Sequence, residues 1–258
     1  MIEIKNIWKR YGDNVILENI SATVKEGEFI TLVGASGCGK STFLKMLLGT
    51  ETPSQGSILL DGKPIPSEPD ANRGVVFQQY SVFPHLSVLE NVVIARAFEK
   101  TRLGFLWGGA KRAARQEAAE LLNIVGLSHM QHRFPDELSG GMRQRLAIAQ
   151  ALILKPRILL LDEPFGALDP GIRADMHELV LDLWRKHKLT VFMVTHDLKE
   201  GFHLGTRLWV FDKRRVDAQA PNAYGAGITY DLPVGVCEQE ILDEIDQSLA
   251  VKSQVEHV

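Results

Sequence analysis

Four short runs of bulky apolar residues, with no polar alternation inside them, set the strongest limit on how this chain folds. They are "FITLV" (29–33), "GVVF" (74–77), "ILLL" (158–161) and "VFMVT" (191–195). A strand with one wet face alternates. A continuous run rich in β-branched residues needs cover on both faces, as in parallel sheets flanked by helices. Helical patterns lie between the runs. The clearest spans 170–187, where Ile172, Met176, Leu179, Val180, Leu183 and Trp184 recur at helical spacing; Pro170 suits the first turn and Asp169 is placed to cap it. Strand signals vanish between Ser81 and Leu154, where "KRAARQEAAELLNIVG" and "MRQRLAIAQALILK" read as helices ending at Gly126 and before Pro156. The expected fold is α/β: a parallel-sheet core (1–79 and 157–212) with an inserted α-helical subdomain (80–156). Within the core, "IEIKNIWKRYG" and "VILENISATVKEG" form an N-terminal antiparallel β-subdomain. Residues 213–258 are expected as an extension ending in a helix around "EQEILDEIDQSLA".

Directly after the first run comes "GASGCGKST", then the apolar helix pattern "TFLKMLLG". The stretch fits G-x-x-x-x-G-K-[ST] from Gly34 to Ser41, in the strand-to-helix setting that the motif requires. Its small side chains let the backbone of Gly34, Ala35, Ser36, Gly37, Cys38, Gly39, Lys40, Ser41 and Thr42 wrap a phosphate, with successive N–H groups and a helix N-terminus turned on it. Lys40 is the charge partner of β- and γ-phosphates, and the Ser41 hydroxyl is a magnesium ligand. A flexible glycine turn ending in a helix cap would explain the loop alone, but not its setting.

The other runs also stop at polar residues: Gln78 (or, in a shifted register, Gln79), Asp162 with Glu163, and His196. Ligands of open parallel sheets collect at the carboxyl ends of strands, so these residues are expected beside the phosphate loop. Asp162 occupies the acidic magnesium-binding position, with Gln78 a further candidate ligand, and Glu163 can polarise a water for attack on phosphorus. His196 is read as a γ-phosphate contact rather than a core histidine because it stands at a strand end.

The composition narrows the partners. Basic and acidic residues number 29 and 32, for a net charge of −3, so no global field draws the chain to nucleic acid. Two cysteines, Cys38 and Cys237, give neither a disulfide framework nor metal-ligand spacing. The start "MIEIKNIWKR" lacks the apolar run of a signal peptide, and no stretch reaches the ~18–20 apolar residues of a membrane span.

"LSGGMRQR" (138–145) opens another helix on a glycine-rich turn and has no role in a single phosphate-loop site. With it, the ordered set "GASGCGKS", Gln78 in "VVFQQ", "LSGGMRQR", "ILLLDEP", "ALD" (167–169) and "THD" around His196 resembles the ATP-binding cassette (ABC) ATPases over residues 1–212. The resemblance implies a RecA-like P-loop NTPase core that binds ATP and Mg2+ and hydrolyses ATP. It also implies a head-to-tail dimer with a second copy, in which Ser139, Gly140 and Gly141 of one chain face ATP held by the other and Asp169 lies at the seam. Tyr11 matches the residue that stacks on adenine, with Trp8 as its neighbour and competitor. The implied partners are a separate transmembrane permease, touched through Tyr80, Phe83, His85 and Leu86, and an extracytoplasmic solute-binding protein, with this chain at the cytoplasmic face of the membrane. The wording of "DEPFGALDPGIRADMHELVLDLW" and "VTHDLKEGFHLGTRLWVF" looks most like the nitrate, sulfonate and taurine importers, or those of another small nitrogen compound. The soluble ABC ATPases, such as the iron–sulfur assembly type, are the alternative. Two stretches depart from the pattern: "EKTRLGFLWGGAKRAAR", whose Phe105, Leu106 and Trp107 form either a contact tip or a folded-back hairpin, and "NAYGAGITYDLPVG".

Overall fold

The computed structural model describes residues 1–78, 81–100, 106–215, 219–220 and 222–234. Gln79, Tyr80, Phe105 and the expected terminal helix lie outside them. In chain order the elements are β1 (Ile2–Tyr11), β2 (Asn14–Val24), β3 (Phe29–Val33), α1 (Lys40–Leu48), β4 (Gln55–Leu60), β5 (Lys63–Pro64), β6 (Arg73–Val76), α2 (Val88–Lys100), α3 (Gly108–Ile124), α4 (Gly140–Leu152), β7 (Ile158–Asp162), α5 (Pro170–His187), β8 (Thr190–Val194), α6 (Leu198–Leu204), β9 (Arg207–Asp212) and β10 (Gly227–Pro233). Two compact units form, Met1–Pro69 with Thr190–Val258, and Asp70–Leu189.

The first unit holds an antiparallel sheet in the order β2-β1-β4-β5 and the strand series β10-β9-β3-β8. In the latter, β3 pairs in parallel with β8 on one side and β9 on the other, while β10 runs antiparallel to β9. Every residue of β3 and of β8 is buried, as their unbroken apolar runs require. Strand β9 alternates its contacts between two faces. Trp209 and Phe211 meet Phe43 of α1 at ring-centroid distances of 6.2 and 5.5 Å, whereas Leu208 and Val210 join Val33 under Leu198 and Phe202 of α6. Phe43 thus pins the helix that follows the phosphate loop.

The second unit pairs β6 with β7 in parallel and carries α2, α3, α4 and α5. Strand β6 ends at Val76, so Phe77, expected in the strand, falls outside the observed one, and β8 runs from Thr190 to Val194 rather than 191–195. Helix α5 has the bounds read from its apolar spacing and buries Met176, Val180, Leu181 and Leu183. Its start differs from expectation: Pro170 occupies the first turn, but the Asp169 side chain makes no cap hydrogen bond. Asp169 contributes its backbone carbonyl, which accepts the Arg173 N–H at 2.9 Å. Trp107 is 82% exposed at the start of α3.

Because Phe43 is fully buried against Trp209 and Phe211, Phe43→Ala is expected to destabilise the fold by about 3–5 kcal/mol in denaturant unfolding. A loss under about 1 kcal/mol would mean that α1 is not held through this ring.

Candidate nucleotide-binding site

The phosphate loop leaves β3 at Gly34 and enters α1 at Lys40. Close packing dictates its glycines. A Cβ on Gly34 would stand 2.2 Å from the Phe211 carbonyl oxygen, and one on Gly39 would stand 2.6 Å from Leu17 Cδ2. Gly39 also takes a left-handed backbone (φ 92°) and offers no side-chain cap, so the first N–H groups of α1 are left to an anion. No acidic residue lies in that first turn to oppose one. Lys40 folds along the loop and is almost fully buried, its Nζ donating to the Gly34 and Ala35 carbonyls at 2.7 Å each. Cys38 Sγ is 3.6 Å from the same nitrogen. Burial pushes the Cys38 thiol above its ordinary pKa; the Lys40 cation opposes the shift and the Asp212 carboxylate adds to it. A thiol of this kind packs rather than reacts.

In parallel strands, neighbouring ends come out together. Leu32 of β3 registers with Val194 of β8, and the Thr195 N–H donates to the Leu32 carbonyl at 3.0 Å. The exposed His196 therefore emerges beside the start of the phosphate loop. Its flanks are fixed. Thr195 Oγ1 donates to the buried Glu200 carboxylate at 2.5 Å and accepts the Asp197 N–H at 3.1 Å, while Asp197 caps α6 through the Lys199 and Glu200 N–H groups.

Tyr11 stands at the end of β1, 48% exposed, with Lys9 Nζ 4.8 Å from its ring centre. Burial, followed by a hydrogen bond to Glu51 and that carboxylate's charge, raises the Tyr11 pKa. Glu51 in turn sits below the ordinary carboxylate range, held foremost by its hydrogen bond from Lys9 and next by Tyr11. Trp8 is less open: its Nε1 donates to Asn6 Oδ1 and Arg10 lies over its ring. Of the two candidate rings, Tyr11 is the more exposed.

In the second unit, Val76 registers with Leu161, so the ends of β6 and β7 also coincide. This brings Gln78 Nε2 to Glu163 Oε2 at 3.2 Å, a bond that engages the amide nitrogen and not the amide oxygen. Glu163, directly after the β7 residue Asp162, has φ 46°. A left-handed backbone costs a side-chain-bearing residue about 1–2 kcal/mol, and such strain gathers at functional sites. Ser139 caps α4, accepting the Met142 N–H at 3.3 Å, yet remains exposed, and α4 has no acid in its first turn. Gly140 is partly buried, and Gly141 packs against Ile172 of α5, where a Cβ would lie 2.5 Å from a methyl.

Asn91 was not apparent from the sequence. Fully buried on α2, it accepts the Phe83 N–H (2.7 Å) and donates to the carbonyls of Phe83, Leu86 and Ser87 (2.9–3.1 Å). It presents the connection that follows Gln78, with Phe83 40% exposed. Its one local signal was an amide directly before the apolar pair Val92–Val93 in "SVLENVV".

Parallel strands, a glycine loop on a helix start and an acidic pair at a strand end define an α/β phosphate-loop nucleotide-binding protein. By donor type, Ser41 in the first unit and Gln78 and Asp162 in the second each carry the oxygen that a hard divalent cation takes. Comparison with known proteins specifies the class: the sequence profile described as ABC transporter matches residues 17–166, and the chain belongs to the ABC transporter family as one of its ATP-binding cassettes, an ATPase by class. It is 43% identical over 197 residues to a nitrate import ATP-binding protein of Synechococcus elongatus, covering 76% of this chain and 69% of that protein. It is 44% identical over 214 residues to a bicarbonate transport ATP-binding protein of Synechocystis sp., covering 80% and 72%. A spermidine/putrescine import ATP-binding protein of Nitrosomonas eutropha is 39% identical over 219 residues, covering 84% of this chain; the chain spans 58% of that protein's length. Among solved structures, the dimeric MJ0796, a bacterial ABC transporter cassette, superposes with a TM-score of 0.74 at 30% identity, covering 91% of this chain and 99% of that one.

The buried, high-pKa Cys38 thiol should react with iodoacetamide at pH 7 at least about tenfold more slowly than an exposed cysteine. Mass spectrometry of the tryptic peptide measures this, and an equal rate would contradict the packing described.

Proposed function

We propose that this chain is the ATP-hydrolysing subunit of an importer, working at the cytoplasmic face of a membrane with a separate permease and a solute-binding protein. The observation that carries the hydrolytic reading is the Gln78–Glu163 hydrogen bond, which holds a strained carboxylate at the end of β7. Nucleotide binding without hydrolysis needs no such second carboxylate beside Asp162.

On this reading, Tyr11 stacks on adenine, and the N–H groups of residues 34–42 surround the phosphates. Lys40 exchanges its loop carbonyls for β- and γ-phosphate oxygens. Mg2+, held by Ser41, Gln78 and Asp162, would supply charge neutralisation when bound. Glu163 accepts a proton from water as the water oxygen bonds to the γ-phosphorus and the bond to the β,γ-bridging oxygen breaks, leaving ADP and phosphate. His196 hydrogen-bonds the γ-phosphate and keeps the water in line.

The role of Ser139 follows from dimerisation. Its helix start, bare of acids, faces the γ-phosphate held by a second copy, with Asp169 at the seam, so ATP closes the pair and hydrolysis releases it. The dimeric MJ0796 cassette, and its post-hydrolysis dimer bound to ADP and Pi, support this arrangement. Phe83, His85 and Leu86, fastened by Asn91, form the described part of the surface offered to the permease. The cargo we read from the sequence is a sulfonate, nitrate or other small nitrogen compound; the nitrate relatives support the nitrate member of that set, beside bicarbonate and polyamine relatives of similar identity.

Glu163→Gln should retain ATP binding while lowering hydrolysis by about 100-fold or more. Trapped with ATP and magnesium in its native host, it should copurify with a multispanning membrane protein. Turnover near wild type would remove Glu163 from the chemistry. Recovery of soluble proteins alone, despite ATP-dependent dimerisation, would remove transport and leave the ATPase.

A further inference from the structure

The stretch "NAYGAGITYDLPVG", which departs from the family pattern, is built against the phosphate loop's supports. Residues 222–226 run along the outer edge of β2. The Val15 N–H donates to the Asn222 carbonyl at 3.0 Å, the Ala226 N–H to Ile16 at 2.9 Å, and the Glu18 N–H to Ala226 at 2.9 Å. The chain then continues as β10, with Gly227 opposite Asp212 and Ile228 opposite Phe211. One segment therefore ties β2 of the antiparallel sheet to β9.

Glu18 fastens it. One carboxylate oxygen accepts the Gly225 N–H at 3.1 Å, and the other pairs with Arg215 at 3.0 Å, whose guanidinium lies 4.2 Å from the Tyr224 ring centre. The Glu18 side chain is only 12% exposed, so these bonds are partly shielded from water. Gly225 lies so close to β2 that a Cβ would stand 2.8 Å from the Leu17 carbonyl carbon.

The two residues held in this way are the loop's own supports: Leu17 packs on Gly39, and the Phe211 carbonyl abuts Gly34. The segment thus braces both ends of the loop from behind. We propose that residues 222–228, locked by Glu18, hold the phosphate loop in its nucleotide-binding shape, and that Glu18 is a positioning residue for nucleotide affinity. The inference rests on the reading that residues 34–42 bind ATP. A loop ordered in advance spends no binding energy on its own ordering, so the brace acts on affinity and not on the chemical step.

The test uses the full chain, titrated with the fluorescent nucleotide MANT-ADP and assayed for ATP turnover. Glu18→Ala is expected to raise the Kd for MANT-ADP and the KM for ATP by about tenfold, with kcat within about twofold of wild type. Glu18→Gln, which keeps an acceptor for the Gly225 N–H, should restore most of the affinity. Gly225→Val, a second lesion at the same contact, should match Glu18→Ala. Unchanged Kd in both Glu18→Ala and Gly225→Val would overturn the proposal, as would a loss confined to kcat. Failure of the wild-type chain to bind MANT-ADP would instead overturn the nucleotide reading.

Discussion

The parallel ladder through β3 is the constraint on which the phosphate-binding half of the site depends. Its five residues are all buried, with β8 on one side and β9 on the other, so the strand's exit point is fixed by backbone bonds and by packing on both faces. The loop that leaves it can then be glycine-rich without being loose. Gly34 rests on the end of β9 and Gly39 on β2, and the helix that follows is anchored by Phe43. A loop of small residues with rigid neighbours is what a polyphosphate needs: N–H groups already aimed, in a setting where their reorganisation is slight.

The Asp70–Leu189 unit uses the same geometry for a different end. Parallel pairing of β6 and β7 brings an amide and a carboxylate together in a hydrogen bond, at a residue, Glu163, whose backbone is left-handed. Serine at the start of α4 keeps that helix capped while leaving its electropositive end open to an anion. Acidic side chains are absent from the first turns of both α1 and α4. The two helices that the proposed mechanism turns toward phosphate thus share one electrostatic design.

Much of this was legible in the sequence because it is encoded locally. Continuous apolar runs gave β3, β7 and β8, and the residues that end these runs put Gly34, Asp162 with Glu163, and His196 at strand ends. Helical spacing and Pro170 delimited α5. What was hidden depends on side-chain bonds that no residue spacing announces, some local and some distant in the chain. Asn91 acts on carbonyls of a connection that precedes its helix, Glu200 acts through Thr195, and Glu18 acts on Gly225 and Arg215, more than 190 residues away in the chain. Nothing in the spacing around any of these residues records its partner. Asp169 shows the opposite case: a residue type favoured at helix starts makes no side-chain cap here, and only its backbone carbonyl serves the helix.

The central claim is that hydrolysis requires a second copy, whose Ser139 helix completes the phosphate site. Its most direct test is the rate of ATP hydrolysis per chain over a dilution series, with sedimentation under the same conditions. The rate should fall with dilution in proportion to the ATP-dependent dimer. A per-chain rate that stayed constant down to concentrations where only monomer sediments would contradict it.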